Sequence, residues 1–280
     1  MSKIKIVTDS AVDLKAEVLE KYEIVRVPLT IYIDGESYLD AVEISPDEFL
    51  ERMKNAKELP KSSQPPVGRF LETYNELGKD GSQVISIHMT GKMSGTVRSA
   101  EQAAQMSDAD VTVIDSCYIS KALSFQVVEA AKMAQEGKSV EEIVSRLEEI
   151  REQSKLYIVV DTLENLVKGG RIGKAKGFIG ALLNIKPILN LDTAELVPVT
   201  KVRSHSQVVK FLSNQIAEEL KDKEIIKMAM VHAGGPELAA KLRDKVIEMT
   251  GFDQIEIETT TPIISTHTGI GAVSIMYWAK

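Results

Sequence analysis

Val84-Ile85-Ser86-Ile87-His88-Met89 runs through Thr90-Gly91-Lys92-Met93-Ser94-Gly95-Thr96 into Val97-Arg98-Ser99-Ala100-Glu101-Gln102-Ala103-Ala104: a strand, a glycine-bearing loop and a helix start, in order. That succession is the repeating unit of α/β folds. Upstream, residues 4–8 read as a short buried strand closed by Asp9-Ser10. Residues 24–33 read as one strand, given an edge position by Pro28, and Asp34-Gly35 turns the chain back toward Tyr38-Leu39-Asp40. Ser45-Pro46-Asp47-Glu48 offers an N-cap, a first-turn proline and early acids for a helix through residue 54. Residues 59–66, with Pro60, Pro65 and Pro66, read as a loop exposing the hydroxyls of Ser62 and Ser63, before a helix over 67–77.

Downstream the alternation continues. Residues 111–114 form a strand closed by Asp115-Ser116, and the Ala-rich run 119–135 a helix stopped by Gly137. Ser139 and Glu142 make a capping box ahead of Ile143, Val144, Leu147 and Ile150 at helical spacing, and residues 156–160 return to strand. This predicts an N-terminal α/β domain over residues 1–160, with a largely parallel sheet and helices on both faces. From Asp161-Thr162-Leu163 the pattern is less regular. A short helix, a basic glycine segment and an apolar helix over 177–183 lead into strands 187–191 and 196–200, close enough in sequence to pair antiparallel. Helices over 208–220 and 236–249 then alternate with strands over 225–232 and 254–259; residues 263–272 read as a loop, and 273–278 as a final apolar segment. The second domain, residues 161–280, is therefore expected to be mixed α/β and, with no low-complexity linker, tightly apposed to the first.

The chain has 280 residues, 44% hydrophobic and 27% charged, with a net charge of −7. An acidic balance disfavours nucleic acid and anionic membrane surfaces, which reward clustered positive charge. No stretch reaches the roughly 18 apolar residues of a membrane helix, and the start shows no signal-peptide pattern, so a cytoplasmic protein without stable membrane insertion is expected. Cys117 is the single cysteine, which rules out an internal disulfide and a thiolate cage. His88, His205, His232 and His267 lack zinc-ligand spacing, so no metal is expected.

His267 lies among Thr266, Thr268, Gly269 and Gly271, and reads either as a ligand contact on a close-approach loop or as a histidine satisfying a local turn. Ser94 stands where a strand yields to a helix, a place that suits a carboxylate or phosphate; equally, Ser94 or Thr96 is only the N-cap. The basic segment Lys168-Gly169-Gly170-Arg171-Ile172-Gly173-Lys174-Ala175-Lys176 fails as a P-loop, because Gly169 and Gly173 are too close and Lys174 precedes alanine. It reads as a solvated turn or as a cationic surface for an acidic partner. Gly269-Ile270-Gly271 is no dinucleotide fingerprint, and Asp9 and Asp115 read as strand-end caps.

Taken in order, Thr8-Asp9-Ser10, Ser62-Ser63-Gln64-Pro65, Ser94-Gly95-Thr96, Asp161-Thr162-Leu163, Lys168-Gly169-Gly170-Arg171-Ile172, Ile185-Lys186-Pro187-Ile188 and His267-Thr268-Gly269 resemble the DegV family of bacterial fatty-acid-binding proteins across essentially the whole chain. The resemblance implies a long-chain fatty acid enclosed between two α/β domains, with no cofactor beyond that ligand. It implies carboxylate-binding roles for Ser62, Ser94, Gly95 and His267. It also implies a partner, the ATP-binding subunit of a fatty acid kinase feeding phospholipid metabolism, which converts the presented carboxylate to an acyl phosphate. Arg171 and Arg203 resemble arginines that engage that kinase. Ser62 stands where the family usually has threonine, Met93 where leucine is frequent, and Ile270 where proline is common. On this reading the chain is a binding subunit and not an enzyme. The alternatives are an autonomous hydrolase or phosphotransferase with Ser94 and His267 as nucleophile and base, and, disfavoured by charge, a DNA-associated regulator.

Overall fold

The computed structural model describes residues 3–178, 185–192 and 194–280. The chain runs through β1 (Ile4–Asp9), α1 (Ala16–Lys21), β2 (Val25–Val27), β3 (Thr30–Ile33), β4 (Glu36–Leu39), α2 (Pro46–Asn55), β5 (Lys61–Ser63), α3 (Val67–Gly78), β6 (Gln83–His88), α4 (Thr96–Met106), β7 (Val111–Asp115), α5 (Ser120–Gln135) and α6 (Val140–Gln153). It continues through β8 (Ser154–Val159), α7 (Glu164–Lys168), a 3-10 turn (Gly173–Phe178), β9 (Lys186–Asp192), β10 (Glu195–Val202), α8 (His205–Glu219), β11 (Ile225–His232), α9 (Pro236–Thr250), β12 (Ile255–Thr259), α10 (Pro262–Thr268) and β13 (Val273–Ala279). The apolar helix expected over 177–183 falls largely on residues 179–184, outside the described ones; Gly177 and Phe178 belong to the 3-10 turn.

Three sheets result. β2-β1-β6-β7 is parallel throughout, β10-β9-β8-β13-β11-β12 is mixed, and β4-β3-β5 is a small antiparallel sheet. Alternation along β1 and β6 divides the parallel sheet's two faces. Val7 and Val84 pack with Phe70, Tyr74, Ala100 and Ala103 of α3 and α4. Ile6, Ile85 and Ile87 join a second cluster that reaches across α5 to Leu156, Ile158 and Met276 of the mixed sheet. α5 therefore lies between two sheets, buried along Ser120–Val127 and again at Ala130 and Ala131, which explains its small side chains. The far face of the mixed sheet packs on α8 and α9 through Val208, Leu212, Leu238 and Leu242.

The capping signals hold. Ser45 Oγ accepts the Glu48 N–H, and Ser139 with Glu142 forms the reciprocal box. Asp9 and Asp115 cap the loops after their strands through the N–H groups of Ala11 and Cys117.

Four expectations are corrected. The single strand over 24–33 is two strands in different sheets, because Pro28 supplies no N–H and the next donor, Leu29 N–H, goes to Ser10 Oγ. The supposed loop 59–66 contains β5, whose Ser62 pairs with Ile31. The supposed loop 263–272 begins as α10, started by Pro262. β8, assigned by sequence to the first domain, pairs with β13 and β9, so sheet membership changes at residue 154, before the 160/161 boundary.

Candidate functional site

Elements far apart in sequence converge beside the mixed sheet's inner face. β5 places Ser62 and α10 places His267, with Ser62 Oγ 2.8 Å from His267 Nε2 across 205 residues of chain. α10 is a single tight piece: Thr266 and Thr268 hydroxyls donate to the Pro262 and Ile264 carbonyls, and Asn165 of α7 donates to the Thr266 carbonyl at 3.1 Å. The imidazole lies against Gly169. A Cβ there would sit 2.5 Å from Nδ1, so this position has to be bare.

Burial and the nearby Arg171 guanidinium hold the His267 pKa down at about 4, so the ring is neutral near pH 7. Its Nδ1 is buried without a partner among the described residues. Of the two neutral tautomers, the one with the proton on Nε2 leaves only an acceptor unpaired, whereas the other buries an N–H donor, costing about 1–3 kcal/mol. The favoured tautomer donates to Ser62 Oγ. The Ser62 hydroxyl proton is thereby free to donate to an anion.

Arg171 is tethered, its Nε donating to the Met93 carbonyl at 2.9 Å and Nη1 to the Gly169 carbonyl at 2.6 Å. It thus joins the Ser94 loop to the α7 turn and brings a positive charge to the His267 ring. Ser94 precedes α4 and lines the cavity; its Oγ accepts the Thr96 N–H at 3.3 Å and shares a 2.8 Å bond with Thr96 Oγ1. Gly95 is the N-cap of α4, and a side chain there would collide with the Gln64 carboxamide.

Ser62, Ser94, Arg171 and His267 share a cavity whose other walls are mainly Leu, Ile and Met, among them Leu29, Met89, Ile119, Leu156, Ile158 and Ile264. It is narrow, with about 610 Å³ of space free of protein atoms, its open mouth included. Ser62, Arg171 and His267 also border a second, more polar cleft with Lys57, Lys61, Asn165 and Lys168. The three residues therefore stand at the junction of an apolar cavity and a polar, outward-facing cleft. That arrangement suits a molecule with a long apolar part and a small anionic head.

Arg203 is not in this cluster. It is exposed, at the end of β10, seven residues beyond the cavity-lining Leu196, roughly 20 Å at about 3.3 Å per residue. Ser94 bonds Thr96 and not His267, so the Ser–His pair in the structure is Ser62–His267, a correction to the pairing considered from sequence. Gln64, which the sequence reading left without a role, lines the cavity and donates to Ser99 Oγ at 2.9 Å. Reading 61–64 as extended chain would have found it, since residues i and i+2 of a strand share a face.

A different buried relay, Asp9–His88–Ser86–Tyr74, has links of 3.1, 2.7 and 2.8 Å. All four side chains are fully buried, which makes this a core network linking β1, β6 and α3. Among the described residues, no group of three or more His, Cys, Asp or Glu side chains is placed to hold a metal, and no helix is long and apolar enough to cross a membrane.

A family model described as "Uncharacterised protein, DegV family" matches residues 3–280. A DegV domain-containing protein of Listeria monocytogenes is 46% identical over 279 residues, covering 99% of each chain. Among solved structures, a DegV family protein from Thermus thermophilus, described by its fatty acid binding, aligns with a TM-score of 0.93 at 31% identity over 99% of this chain and 100% of that one. DegV from Bacillus subtilis, described as a fatty acid binding protein, aligns at 0.91 and 34% over the full length of both.

Proposed function

This chain belongs to the DegV family, and from that premise we propose that it binds one long-chain fatty acid, with the tail in the apolar cavity and the carboxylate at Ser62, Ser94, Gly95 and His267. The observation that carries the reading is the junction itself: hydroxyl, imidazole and guanidinium groups close the polar end of a cavity otherwise lined by aliphatic side chains. The fatty acid binding described for the T. thermophilus and B. subtilis proteins supports it.

Affinity and orientation divide between tail and head. Burying about fifteen methylenes at ~0.8 kcal/mol each contributes roughly 12 kcal/mol before the cost of ordering the chain. Each hydrogen bond to the ionised head adds about 1.5–3 kcal/mol and prevents a buried charge from being left unpaired. The head faces the cleft that holds Lys57, Lys61 and Lys168. In this proposal a separate ATP-binding kinase subunit approaches from that side and forms the acyl phosphate, with Arg171 and Arg203 in the contact, and this chain supplies no nucleotide site of its own.

The 2.8 Å Ser62–His267 contact is the one observation that favours a second reading, an autonomous hydrolase. Two facts weigh against it: a ring with a pKa near 4 is a weak general base at neutral pH, and its Nδ1 faces Gly169 where an orienting carboxylate would be required.

Protein purified without added lipid is expected to release saturated or monounsaturated acyl chains, detected by solvent extraction and mass spectrometry. No acyl chain, together with no uptake of labelled palmitate or oleate, overturns the reading; ester hydrolysis without a partner establishes the second. Ser62→Ala removes the hydroxyl between His267 and the head and is expected to weaken palmitate binding roughly ten- to a hundredfold, read by titration, because one charge-assisted bond is lost while tail burial is kept.

A further inference from the structure

α10 contributes Ile263, Ile264, His267 and Thr268 to the cavity, yet its first turn is anchored by two buried aspartates from the N-terminal part of the chain. Asp13 Oδ1 accepts the Thr261 N–H at 2.7 Å, and Asp40 Oδ1 accepts the Ile263 N–H at 3.0 Å; Pro262, between them, has no N–H. The two carboxylates are not equivalent. Asp13 Oδ2 also takes the hydroxyls of Ser120 and Thr260. Asp40 is fully buried at the end of β4, and its Oδ2 has no partner among the described residues.

We infer that Asp40 is a positioning residue for the head-group site: its charge clamps the start of α10 and so sets the placement of His267 and the Ile263–Ile264 wall. The inference rests on the fatty-acid reading above. Burial raises the Asp40 carboxyl to about 7, with Asp13 adding to the rise and the Ser10 hydroxyl, the Ile263 N–H and the Arg26 guanidinium opposing it. Asp13, from the turn after β1, and Arg26, from β2, are the charged groups bearing on it. Ionised Asp40 makes a charge-assisted bond to Ile263 and faces the positive end of the helix; protonated, it keeps only a weaker neutral bond.

Two consequences have opposite signs. The folded-state pKa lies above the unfolded value, so this group's contribution to stability is fully present below the unfolded pKa and lost as pH rises through about 7. Ligand binding changes the other way, tightening as the clamp becomes charged. His267, near 4, stays neutral throughout pH 6 to 8 and does not contribute to such a profile.

The test is palmitate titration at pH 6 and pH 8 for the wild type and Asp40→Asn, with thermal unfolding of both ligand-free proteins as the companion measurement. Wild-type binding is expected to be roughly three- to fivefold tighter at pH 8, and Asp40→Asn to bind at the weaker level at both values. A flat wild-type profile, or an Asp40→Asn profile matching wild type, overturns the inference while leaving the fatty-acid reading in place. No palmitate binding by the folded wild type at either pH overturns the fatty-acid reading and this inference with it.

Discussion

Gly169→Ala is expected to weaken fatty acid binding roughly ten- to a hundredfold. The backbone at this position, φ −73° and ψ −13°, is ordinary helical geometry, so alanine carries no conformational penalty and is the better helix former. The conflict is with the ring and with the turn beneath it: the new methyl would sit 2.5 Å from His267 Nδ1, 2.8 Å from the Asn165 carbonyl oxygen and 3.1 Å from Cε1. His267 cannot retreat freely, because α10 is fixed at its start by Asp13 and Asp40 and near its end by Asn165. The ring must tilt away from Ser62, breaking the 2.8 Å contact that leaves the Ser62 proton available to the head group. One charge-assisted bond is worth about 1.5–3 kcal/mol, hence the predicted range. Titration with labelled palmitate reads the effect, and wild-type affinity in the folded variant would show that the ring's position against Gly169 does not matter.

How much of this was legible from residues follows from how local each signal is. Caps, turns and helical periodicity depend on neighbours within four positions, and Ser45, Ser139, Asp9 and Asp115 do what their sequence contexts predict. Sheet membership is decided elsewhere. β8 looks like any other short apolar run, and nothing within it says that its partners are β13 and β9. The same limit applied at Pro28, where the break was visible but the change of sheet was not, and at 263–268, where three threonine and serine hydroxyls with a nearby glycine pair read as loop chemistry, although Pro262 was a helix-start signal.

The site divides along the same line. Ser62, Ser94 and His267 could be singled out as hydroxyls and an imidazole on connecting segments, and the ordered family motifs supplied the fatty acid. Their mutual distances could not be read, since Ser62 and His267 are 205 positions apart. Arg171 illustrates the cost: sequence marked a cation among glycines, whereas the structure ties two of its nitrogens to backbone carbonyls beside the histidine and lets it border both cavities. Asp13 and Asp40 went unmarked because a lone aspartate reads as a loop residue until its partners at the start of α10, more than 200 positions away, are known.

Asp13→Ala is expected to give the largest loss of stability, about 4 kcal/mol and on the order of 10 °C in melting temperature for the ligand-free protein. Asp13 occupies the left-handed region, φ 48°, which aspartate tolerates and alanine enters at a cost of about 1–2 kcal/mol. The larger share comes from donors left behind. The Thr261 N–H is buried and points at Oδ1, and the Ser120 and Thr260 hydroxyls share Oδ2, so one truncation strands one backbone and two side-chain groups. The hydroxyls can rotate toward other acceptors; the backbone N–H cannot, and its unmet desolvation is about 1–3 kcal/mol. Asp13→Asn keeps one side-chain oxygen and the tolerance for φ > 0, and should recover most of the loss, which separates the hydrogen bonds from the backbone conformation. A ligand-free midpoint within about 1 kcal/mol of wild type would overturn the account. These bonds join the turn after β1 to the start of α10 and the start of α5, so the same substitution removes the fixed point against which Asp40 sets the helix and should cost ligand affinity even in the fraction that remains folded.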